Sequence, residues 1–165
     1  MVDRILNKSV LSKLKKIFGI GPKGAMISSL LFVVFVWFHS FMSFRIVANH
    51  VGFIQTIGVT LMTSGLVLHI WSFNTLRTWW ADDKLCTYGP FRYFRHPMYA
   101  AWITFLCPGL GLYLNSWLYL IWIVLIHLLW HHLVDKEESL MVSLFGDEYK
   151  TYSKRTGRFF PRILN

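Results

Sequence analysis

Two polar clusters stand at the ends of neighbouring hydrophobic segments. The first is the stretch GPFRYFRHPMY, Gly89 to Tyr99, which places Arg95 and His96 against Pro97 at the start of an apolar run. The second is Asp135-Lys136-Glu137-Glu138, at the end of the next apolar run. Ionisable side chains are costly in or near a bilayer, so those gathered there usually bind or transform a ligand. The two clusters predict one site at a membrane surface.

Simpler interpretations exist for each cluster. The arginines of the first cluster are compatible with interface anchors, and His96-Pro97 with a plain helix start, since proline suits the first helical turn. The carboxylates of the second cluster would oppose the dipole of a helix that ended there. They therefore indicate either a helix that continues into water or carboxylates that face a cation, such as Lys136, a basic tail or a positively charged ligand.

Histidines in the apolar segments offer further chemistry. His127, His131 and Asp135 recur every four residues and share one helix face. A zinc ion can be held by two such histidines, but a third ligand is not evident and no metal site is predicted. Haem ligation is an alternative, with His39 and His69 in earlier segments as further candidates. A polar cavity wall, or imidazoles bonded to neighbouring helices, is the favoured interpretation.

The composition indicates what positions these clusters. The 165-residue chain is 55% hydrophobic and 15% charged, well below the charged fraction of a typical soluble domain. Its apolar runs predict an all-α, polytopic membrane bundle of about four transmembrane helices in a single domain, 1–165. The predicted spans are 26–48, 51–76, 97–114 and 117–134. Because only Asn115-Ser116 separates the last two spans, they are predicted to form a helical hairpin.

The distribution of positive charge predicts the orientation. Sixteen of the seventeen lysines and arginines lie before the first span, between the second and third, or after the fourth. With four spans these segments share one side, which the positive-inside rule makes cytoplasmic. The sequence thus predicts an inner or plasma membrane protein with both termini in the cytoplasm. The net charge of +9 then reflects topology and anionic lipid rather than a nucleic-acid partner.

Flanking segments complete this prediction. Residues 1–25 are basic with interspersed apolar residues and are predicted to form an amphipathic helix on the membrane surface. Residues 26–76 carry the first two spans, and residues 77–165 carry both polar clusters. The polar, aromatic and basic stretch FGDEYKTYSKRTGRFFP, Phe145 to Pro161, is predicted to return along the membrane and pack beside Glu137-Glu138. Its Tyr149, Tyr152 and Arg155 suggest a lid or wall.

The residues from Thr87 to Pro161 resemble the isoprenylcysteine carboxyl methyltransferase and phospholipid methyltransferase family. The resemblance rests on Arg-His-Pro-x-Tyr, a hairpin of matching length, Glu-Glu, Phe-Gly-x-Glu-Tyr and Tyr-x-x-Arg. Family members often have glycine where this chain has Ala101, and longer members carry additional N-terminal spans. The resemblance implies an integral membrane enzyme that uses S-adenosylmethionine and binds it between the last hairpin and the C-terminal segment.

The resemblance also implies roles for particular residues. The implied cofactor-binding residues are Tyr93, Arg95, His96, Pro97, Tyr99, Glu137, Glu138 and Tyr149. Arg95 and His96 are expected to hold the carboxylate of the cofactor, and Glu137 or Glu138 its amino group or ribose hydroxyls. Arg95, Glu138 and His131 are the candidate catalytic residues, with Glu138 or His131 as the base if the acceptor is an amine.

These observations favour an S-adenosylmethionine-dependent methyltransferase that acts on a lipophilic acceptor at the cytoplasmic membrane face. The acceptor is either an isoprenylcysteine-type carboxylate or a phospholipid amine. The alternatives are a haem-binding or redox helical bundle, and a non-catalytic membrane protein of the same fold.

Overall fold

The computed structural model describes residues 19–41, 45–46, 51–79 and 84–162. These residues form five α-helices, with a 3-10 turn at Gly89–Arg92 and a π-helical segment at Ala101–Leu106. The α-helices are α1 (Gly21–Phe41), α2 (Val51–Trp79), α3 (Pro97–Ala100), α4 (Cys107–Tyr113) and α5 (Leu118–Arg155). The prediction of an all-α protein is confirmed for these ranges, which contain two isolated β-bridges and no sheet.

Three helices in the described ranges, α1, α2 and α5, are long and apolar enough to cross a membrane. Their outer surfaces expose large apolar side chains, including Leu30, Val67 and Leu128. Helices suit a bilayer because each backbone N–H and C=O inside the apolar layer is bonded within the same helix. The prediction of a membrane protein built from apolar helices therefore agrees with the structure.

The predicted third span corresponds to a broken helical run. Residues 97–113 pass without interruption through α3, the π-helical segment and α4, which is shorter than the roughly 20 residues that a perpendicular span needs. Pro97 occupies the first helical position, where its missing N–H costs no hydrogen bond. The four-span count, and with it the shared side of the basic segments, stays a prediction.

Helix boundaries differ from the predicted spans at several ends. α1 begins at Gly21, before the predicted start at residue 26, and Pro22 lies in its first turn. α2 runs to Trp79 instead of ending at residue 76. α5 continues past the predicted end at residue 134, so its carboxylates belong to a continuing helix. It consists of two helical stretches joined at a break at Gly146, whose φ of 55° and ψ of −127° are not helical. The amphipathic helix predicted at the N-terminus falls mainly on residues 1–18, outside the described ranges.

Small residues bring the helical run 97–113 against α2. A Cβ atom added to Gly58 would lie 2.6 Å from the carbonyl oxygen of Gly109, and one added to Gly65 would lie 2.9 Å from that of Ala101. These distances are shorter than a side chain tolerates, so the two backbones touch only because the positions are small. Ala101, which replaces a frequent family glycine, is fully buried at this contact.

The polypeptide then reverses and returns as α5. Asn115 has a φ of 50°, which asparagine adopts more readily than most residues. The following helix packs its buried face, including Tyr119, Trp122, Ile126 and Trp130, toward α1 and the 97–113 run. Gly24 of α1 lies directly against the Trp130 ring. This arrangement returns α5 to the end of the bundle that holds residues 89–99.

Candidate functional site: a polar cluster beside a membrane cavity

Residues 89–99, the Arg-His-Pro segment, are clamped by the end of α5 and by the C-terminal tail (residues 156–162). The Tyr152 hydroxyl donates a 2.6 Å hydrogen bond to the Phe91 carbonyl. The backbone N–H of Arg95 donates to the Gly157 carbonyl at 2.7 Å, and that of His96 to the Arg158 carbonyl at 3.2 Å. The tail also contacts the middle of α5, where Arg158 bonds Glu138, so it packs beside Glu138 as the sequence predicted.

Four side chains form what we call the Glu138 cluster: Glu138, Arg95, His96 and Arg158. Arg95 Nε donates to Glu138 Oε1 at 2.8 Å, and Arg158 Nη2 donates to Oε2 at 2.6 Å. Arg158 Nε and His96 Nε2 lie 3.2 and 3.3 Å from Oε1. The carboxylate is only 14% exposed, so two arginines neutralise it where water is largely excluded.

This environment sets the protonation of Glu138, which lies past the apolar part of α5. Burial alone would raise the pKa of its carboxyl, but hydrogen bonds from His96, Arg158 and Arg95 outweigh burial and hold that pKa well below its ordinary range. Since the ionised form is strongly favoured, Glu138 stays a carboxylate at neutral pH and is a poor proton acceptor.

The remaining donors of Arg95 are also engaged. Its Nη1 donates to the Ser153 carbonyl at 2.8 Å and to the Thr156 carbonyl at 2.7 Å. Ser153 lies in the last turn of α5 and Thr156 is its C-cap residue. An arginine is favourable there because helix C-termini carry partial negative charge. Arg95 thus joins the Arg-His-Pro segment, Glu138 and the end of α5 in one network.

Arg158 extends the network along the same face of α5. Its Nη1 forms a 2.9 Å ion pair with Asp135 Oδ1 and donates to the His131 carbonyl at 3.2 Å. The His131 ring packs edge-on against Phe159 of the tail at 4.8 Å between ring centroids. The polar stripe of α5 therefore faces the C-terminal tail.

Glu137 points to a different place. Its Oε2 accepts a 3.2 Å hydrogen bond from the Tyr99 hydroxyl, and it has no ion-pair partner among the described residues. The backbone before α1 passes over it, since a Cβ atom on Gly19 would lie 2.6 Å from Glu137 Oε1. Gly19 has a φ of +42°, so both its conformation and this approach favour glycine.

A cavity of about 1150 Å³ opens beside Glu137. One end is polar and is lined by Arg95, His96, Tyr99, Glu137 and Tyr149. From there the cavity continues between α1, α2, the 97–113 run and α5. Its apolar walls are formed by side chains such as Phe32, Met62, Ile103, Leu106 and Trp122. A ligand with a polar group and a long apolar part would match both ends.

Several residues that line the cavity have a buried polar atom without a hydrogen-bond partner in the described part of the chain. These atoms are His69 Nδ1, Trp79 Nε1, Trp122 Nε1 and the Tyr149 hydroxyl. Tyr149 is only 3% exposed, and a buried hydroxyl without a partner is unfavourable. Such groups are typical of a site that a ligand completes.

The structure brings most predicted site residues to this region, but not to one surface. Arg95, His96, Pro97, Tyr99, Glu137 and Tyr149 line the cavity, whereas Glu138 and His131 are not among its lining residues. Tyr93 is 49% exposed and also lies outside the cavity wall. Most of the predicted site residues thus lie in one region, and the structure separates the surroundings of Glu137 from those of Glu138.

Three residues that contribute to this site were not predicted from the sequence. Gly19 and Gly21 cover Glu137 and Tyr99, and the run Gly19-Ile20-Gly21-Pro22 is a signal for such a close backbone passage. Arg158 was counted only as a basic tail residue, although it is the second arginine on Glu138. Its partner is twenty residues away, and no local pattern marks it.

The four histidines of the haem alternative are spread over separate surroundings. His39 packs near Tyr119 and His69 near Trp102, with ring centroids 5.5 and 6.2 Å apart. His127 stacks on Phe160 at 5.6 Å. Among the described residues no group of three histidine, cysteine or acidic side chains is arranged to hold a metal ion. No observation here favours the haem alternative.

Together these features describe a helical membrane protein with a polar site at one end of an apolar cavity. The sequence model of a family described as phospholipid methyltransferase matches residues 53–148. The match covers nearly all of α2, the Arg-His-Pro segment, the 97–113 run and α5 as far as Glu148. The chain belongs to this family, which confirms the resemblance and implies a membrane methyltransferase. It matches none of the curated proteins with which it was compared.

The family generally uses S-adenosylmethionine, and the residues present fit such a molecule. The cavity is large enough for a cofactor of that size beside an acceptor. Its polar end offers the Glu137 carboxylate, which can accept hydrogen bonds, and the unpartnered Tyr149 hydroxyl, which can donate one. The stacked rings of His96 and Tyr99, 5.5 Å apart, add a flat wall suited to an adenine or ribose.

Proposed function

We propose that this protein transfers a methyl group from S-adenosylmethionine to a lipophilic acceptor at the cytoplasmic face of a membrane. One observation carries the proposal: a polar pocket lined by Glu137, Tyr99 and Tyr149 opens into an apolar cavity between membrane helices. A soluble donor and a lipid acceptor need this combination. The cytoplasmic face follows from the positive charge on the predicted loop and termini.

Bound S-adenosylmethionine supplies a methyl group on a positively charged sulfur. Glu137 is proposed to accept hydrogen bonds from the amino group or ribose hydroxyls and to favour the positive charge nearby. The Tyr149 hydroxyl gains the partner that it lacks in the protein alone. The ring of Tyr99 is proposed to pack against the flat part of the cofactor. Much of the rate enhancement then comes from holding donor and acceptor in line.

Arg95 and Glu138 are proposed as positioning residues. Arg95 donates to Glu138 and to the Ser153 carbonyl near the end of α5, and Glu138 also accepts a bond from Arg158. These bonds occupy most of the Arg95 donors that could otherwise bind a cofactor carboxylate. The cluster instead keeps the Arg-His-Pro segment and α5 at a fixed separation, which holds Tyr99 and Glu137 together. His96, on the cavity wall, remains the proposed contact for the cofactor carboxylate.

The acceptor is proposed to enter sideways from the bilayer. The side chains of Phe32, Met62 and Leu106 form an apolar wall that suits a prenyl or acyl chain. Both predicted acceptors, an isoprenylcysteine-type carboxylate and a phospholipid amine, have such a chain attached to a polar nucleophile.

Binding and transfer measured on the same preparation test the proposal. The full chain in lipid nanodiscs should bind S-adenosylhomocysteine at one site per chain in calorimetry. It should also transfer labelled methyl from the cofactor into a phospholipid amine or a prenylcysteine analogue. A protein that binds no S-adenosylhomocysteine and labels neither acceptor is not a methyltransferase of this kind. A Soret band with one haem per chain would instead support the redox alternative.

A further inference from the structure

A row of apolar side chains continues along α5 past the polar site. Leu140, Met141, Leu144 and Phe145, which we call the outer stripe, follow Glu137 at spacings that place them on its face of the helix. All four line the cavity. Leu140 is nevertheless 56% exposed and Leu144 54% exposed. The cavity wall therefore has an uncovered apolar side next to its polar end.

The outer stripe lies beyond the apolar part of α5. The polar cluster 135–138 separates it from the predicted span, and Asp135 and Glu138 of that cluster are paired with Arg158 of the C-terminal tail. A contiguous apolar surface in such a place is typical of an interaction site. Because the same side chains line the cavity, whatever covers the outer stripe also completes the cavity wall.

The contacts of α1 show which part of the chain is nearest to the outer stripe. Gly24 lies against the Trp130 ring, and the backbone at Gly19 passes over the Glu137 carboxylate. The two helices are therefore antiparallel, and the chain followed backwards from residue 24 to residue 19 moves along α5 toward the stripe. The residues before these, 1–18, lie outside the described ranges. They join the described chain beside Glu137, where the stripe begins.

The sequence of residues 10–18 matches the outer stripe in pattern and in length. Its apolar residues recur at the spacing of one helix face, and they are Val10, Leu11, Leu14, Ile17 and Phe18. A helix advances about 12 Å from residue 10 to residue 18, and the same distance separates residues 137 and 145 of α5. The predicted amphipathic helix can therefore cover the whole stripe with its apolar face.

The charges of the two surfaces are complementary. Lys13, Lys15 and Lys16 lie between the apolar residues of the segment. Glu137, which has no ion-pair partner among the described residues, precedes the outer stripe, and the exposed Glu148 follows it. Lysines at the edge of an apolar face can bury their stems and keep their charged ends in water near such carboxylates.

We propose that residues 10–18 pack as an amphipathic helix on the outer stripe and cover the polar end of the cavity. The occupant of this surface is the chain's own N-terminal segment, and neither lipid nor a second copy of the protein. The packing stands independently, whereas the role in retaining a cofactor rests on the proposed function. A segment in this place closes the aqueous side of the pocket and slows the loss of a bound cofactor. The side between the membrane helices stays available to the acceptor.

Photocrosslinking of the full chain in lipid vesicles tests the packing. The photoreactive residue p-benzoylphenylalanine is placed at Leu144 on the outer stripe, or at Val142. Val142 is also exposed, but it lies on the other side of the helix and does not line the cavity. Illumination at position 144 should join it to residues 10–18 of the same chain, which mass spectrometry of the peptides identifies, and position 142 should give little of this product. Crosslinks from position 144 mainly to lipid or to another chain, or equal yields from both positions, overturn the proposal.

A second pair of variants tests what the packing does. Leu14→Asp places a charge on the apolar face of the segment, whereas Ser12→Asp places the same charge on its polar face. Bound S-adenosylhomocysteine should dissociate roughly tenfold faster from Leu14→Asp than from the parent, and at the parental rate from Ser12→Asp. The crosslink from position 144 should be lost in Leu14→Asp and kept in Ser12→Asp.

The two measurements separate failure of this inference from failure of the proposed function. A parental dissociation rate in Leu14→Asp, together with loss of the crosslink, would show that the segment does not cover the pocket. A parent that binds no S-adenosylhomocysteine overturns the proposed function, while the crosslinks still decide whether residues 10–18 occupy the outer stripe.

Discussion

On α5, the carboxylates of Glu137 and Glu138 are adjacent in sequence but face different surroundings. Glu138 meets two guanidinium groups and an imidazole within 3.3 Å. Glu137 meets one tyrosine hydroxyl and the cavity. Successive residues on a helix point about 100° apart, so one turn of a helix can serve two purposes. Glu138 joins parts of the protein, while Glu137 keeps hydrogen-bonding capacity for a ligand.

This difference indicates that charged side chains near a membrane can have two roles, one in structure and one in binding. A buried charge that serves structure is compensated within the protein, because removing one partner leaves the others uncompensated. A charge that serves binding keeps some of its bonds unmade until the ligand arrives. Removal of a structural charge should therefore lower mainly stability, whereas removal of a binding charge should lower mainly ligand affinity.

The largest expected effect is that of Glu138→Ala on stability. The substitution leaves Arg95 and Arg158 facing each other without their shared carboxylate, in a region where both are largely buried. Breaking a buried ion pair in this way costs about 3–5 kcal/mol. Denaturant unfolding in detergent micelles should show a loss of this size in the free energy of unfolding.

The matched control for this prediction is Glu137→Ala. It removes an equal charge one residue away but only one hydrogen bond, so the free energy of unfolding should change by about 1 kcal/mol or less. Equal losses in the two variants would mean that the Glu138 cluster does not hold the fold. A second pair of variants repeats the comparison. Arg95→Ala removes a member of the Glu138 cluster, whereas Arg92→Ala is its control because Arg92 is exposed on the 3-10 turn.

The next effect is that of Glu137→Gln on ligand binding. The amide keeps the shape of the side chain but loses the charge that is proposed to meet the amino group or ribose of the cofactor. A charge-assisted hydrogen bond contributes about 1.5–3 kcal/mol, so the affinity for S-adenosylhomocysteine should fall roughly ten- to hundredfold. Calorimetric titration measures this change, and an unaltered unfolding midpoint excludes a general loss of structure.

The contrary result for this variant is parental affinity. It would mean that Glu137 is simply a surface carboxylate bonded to Tyr99, and that the cofactor lies elsewhere in the cavity.

A smaller effect is expected for Tyr149→Phe. The hydroxyl has no hydrogen-bond partner among residues 19–41, 45–46, 51–79 and 84–162, so its removal should leave stability unchanged or slightly higher. If a ligand supplies the missing partner, affinity for S-adenosylhomocysteine should fall by about 0.5–1.5 kcal/mol, the net contribution of a typical hydrogen bond. Tyr152→Phe is the control, because that hydroxyl bonds the Phe91 carbonyl. It should lose stability instead of affinity.

The features that could be predicted from the sequence are those that depend on residues close together in the chain. Apolar runs predicted the helices, and the Arg-His-Pro and Glu-Glu patterns predicted where the site lies, because both are local features. The burial of Glu138 between Arg95 and Arg158 depends on residues 43 and 20 positions away. No local pattern shows that its surroundings differ from those of Glu137, so both carboxylates were predicted to bind the cofactor, with Glu138 as a candidate catalytic residue as well.

The same limit applies to the helix ends and to the histidines of the membrane helices. The hydrophobic pattern of α5 ends at Val134, but the helix continues because its polar residues find partners in the C-terminal tail. His69 and His39 are indistinguishable as isolated histidines in apolar runs. Only the position of the 97–113 run, fixed by contacts such as Gly65 with Ala101, places one of them on the cavity wall.

The smallest predicted effect is the pH dependence of stability that Glu138 contributes. Its pKa is lowered in the folded protein, mainly because hydrogen bonds from His96, Arg158 and Arg95 outweigh burial, whereas the unfolded carboxyl titrates near 4.5. The stabilisation is therefore fully present above that pH and declines as the pH falls through it, because only the unfolded state takes up the proton. At pH 4 the loss relative to pH 7 should be about 0.8 kcal/mol. The difference in unfolding free energy between the parent and Glu138→Ala should shrink by this amount between pH 7 and pH 4, while the difference between the parent and Glu137→Ala should change less. Parallel pH curves for the parent and Glu138→Ala would show that the cluster does not hold Glu138 ionised.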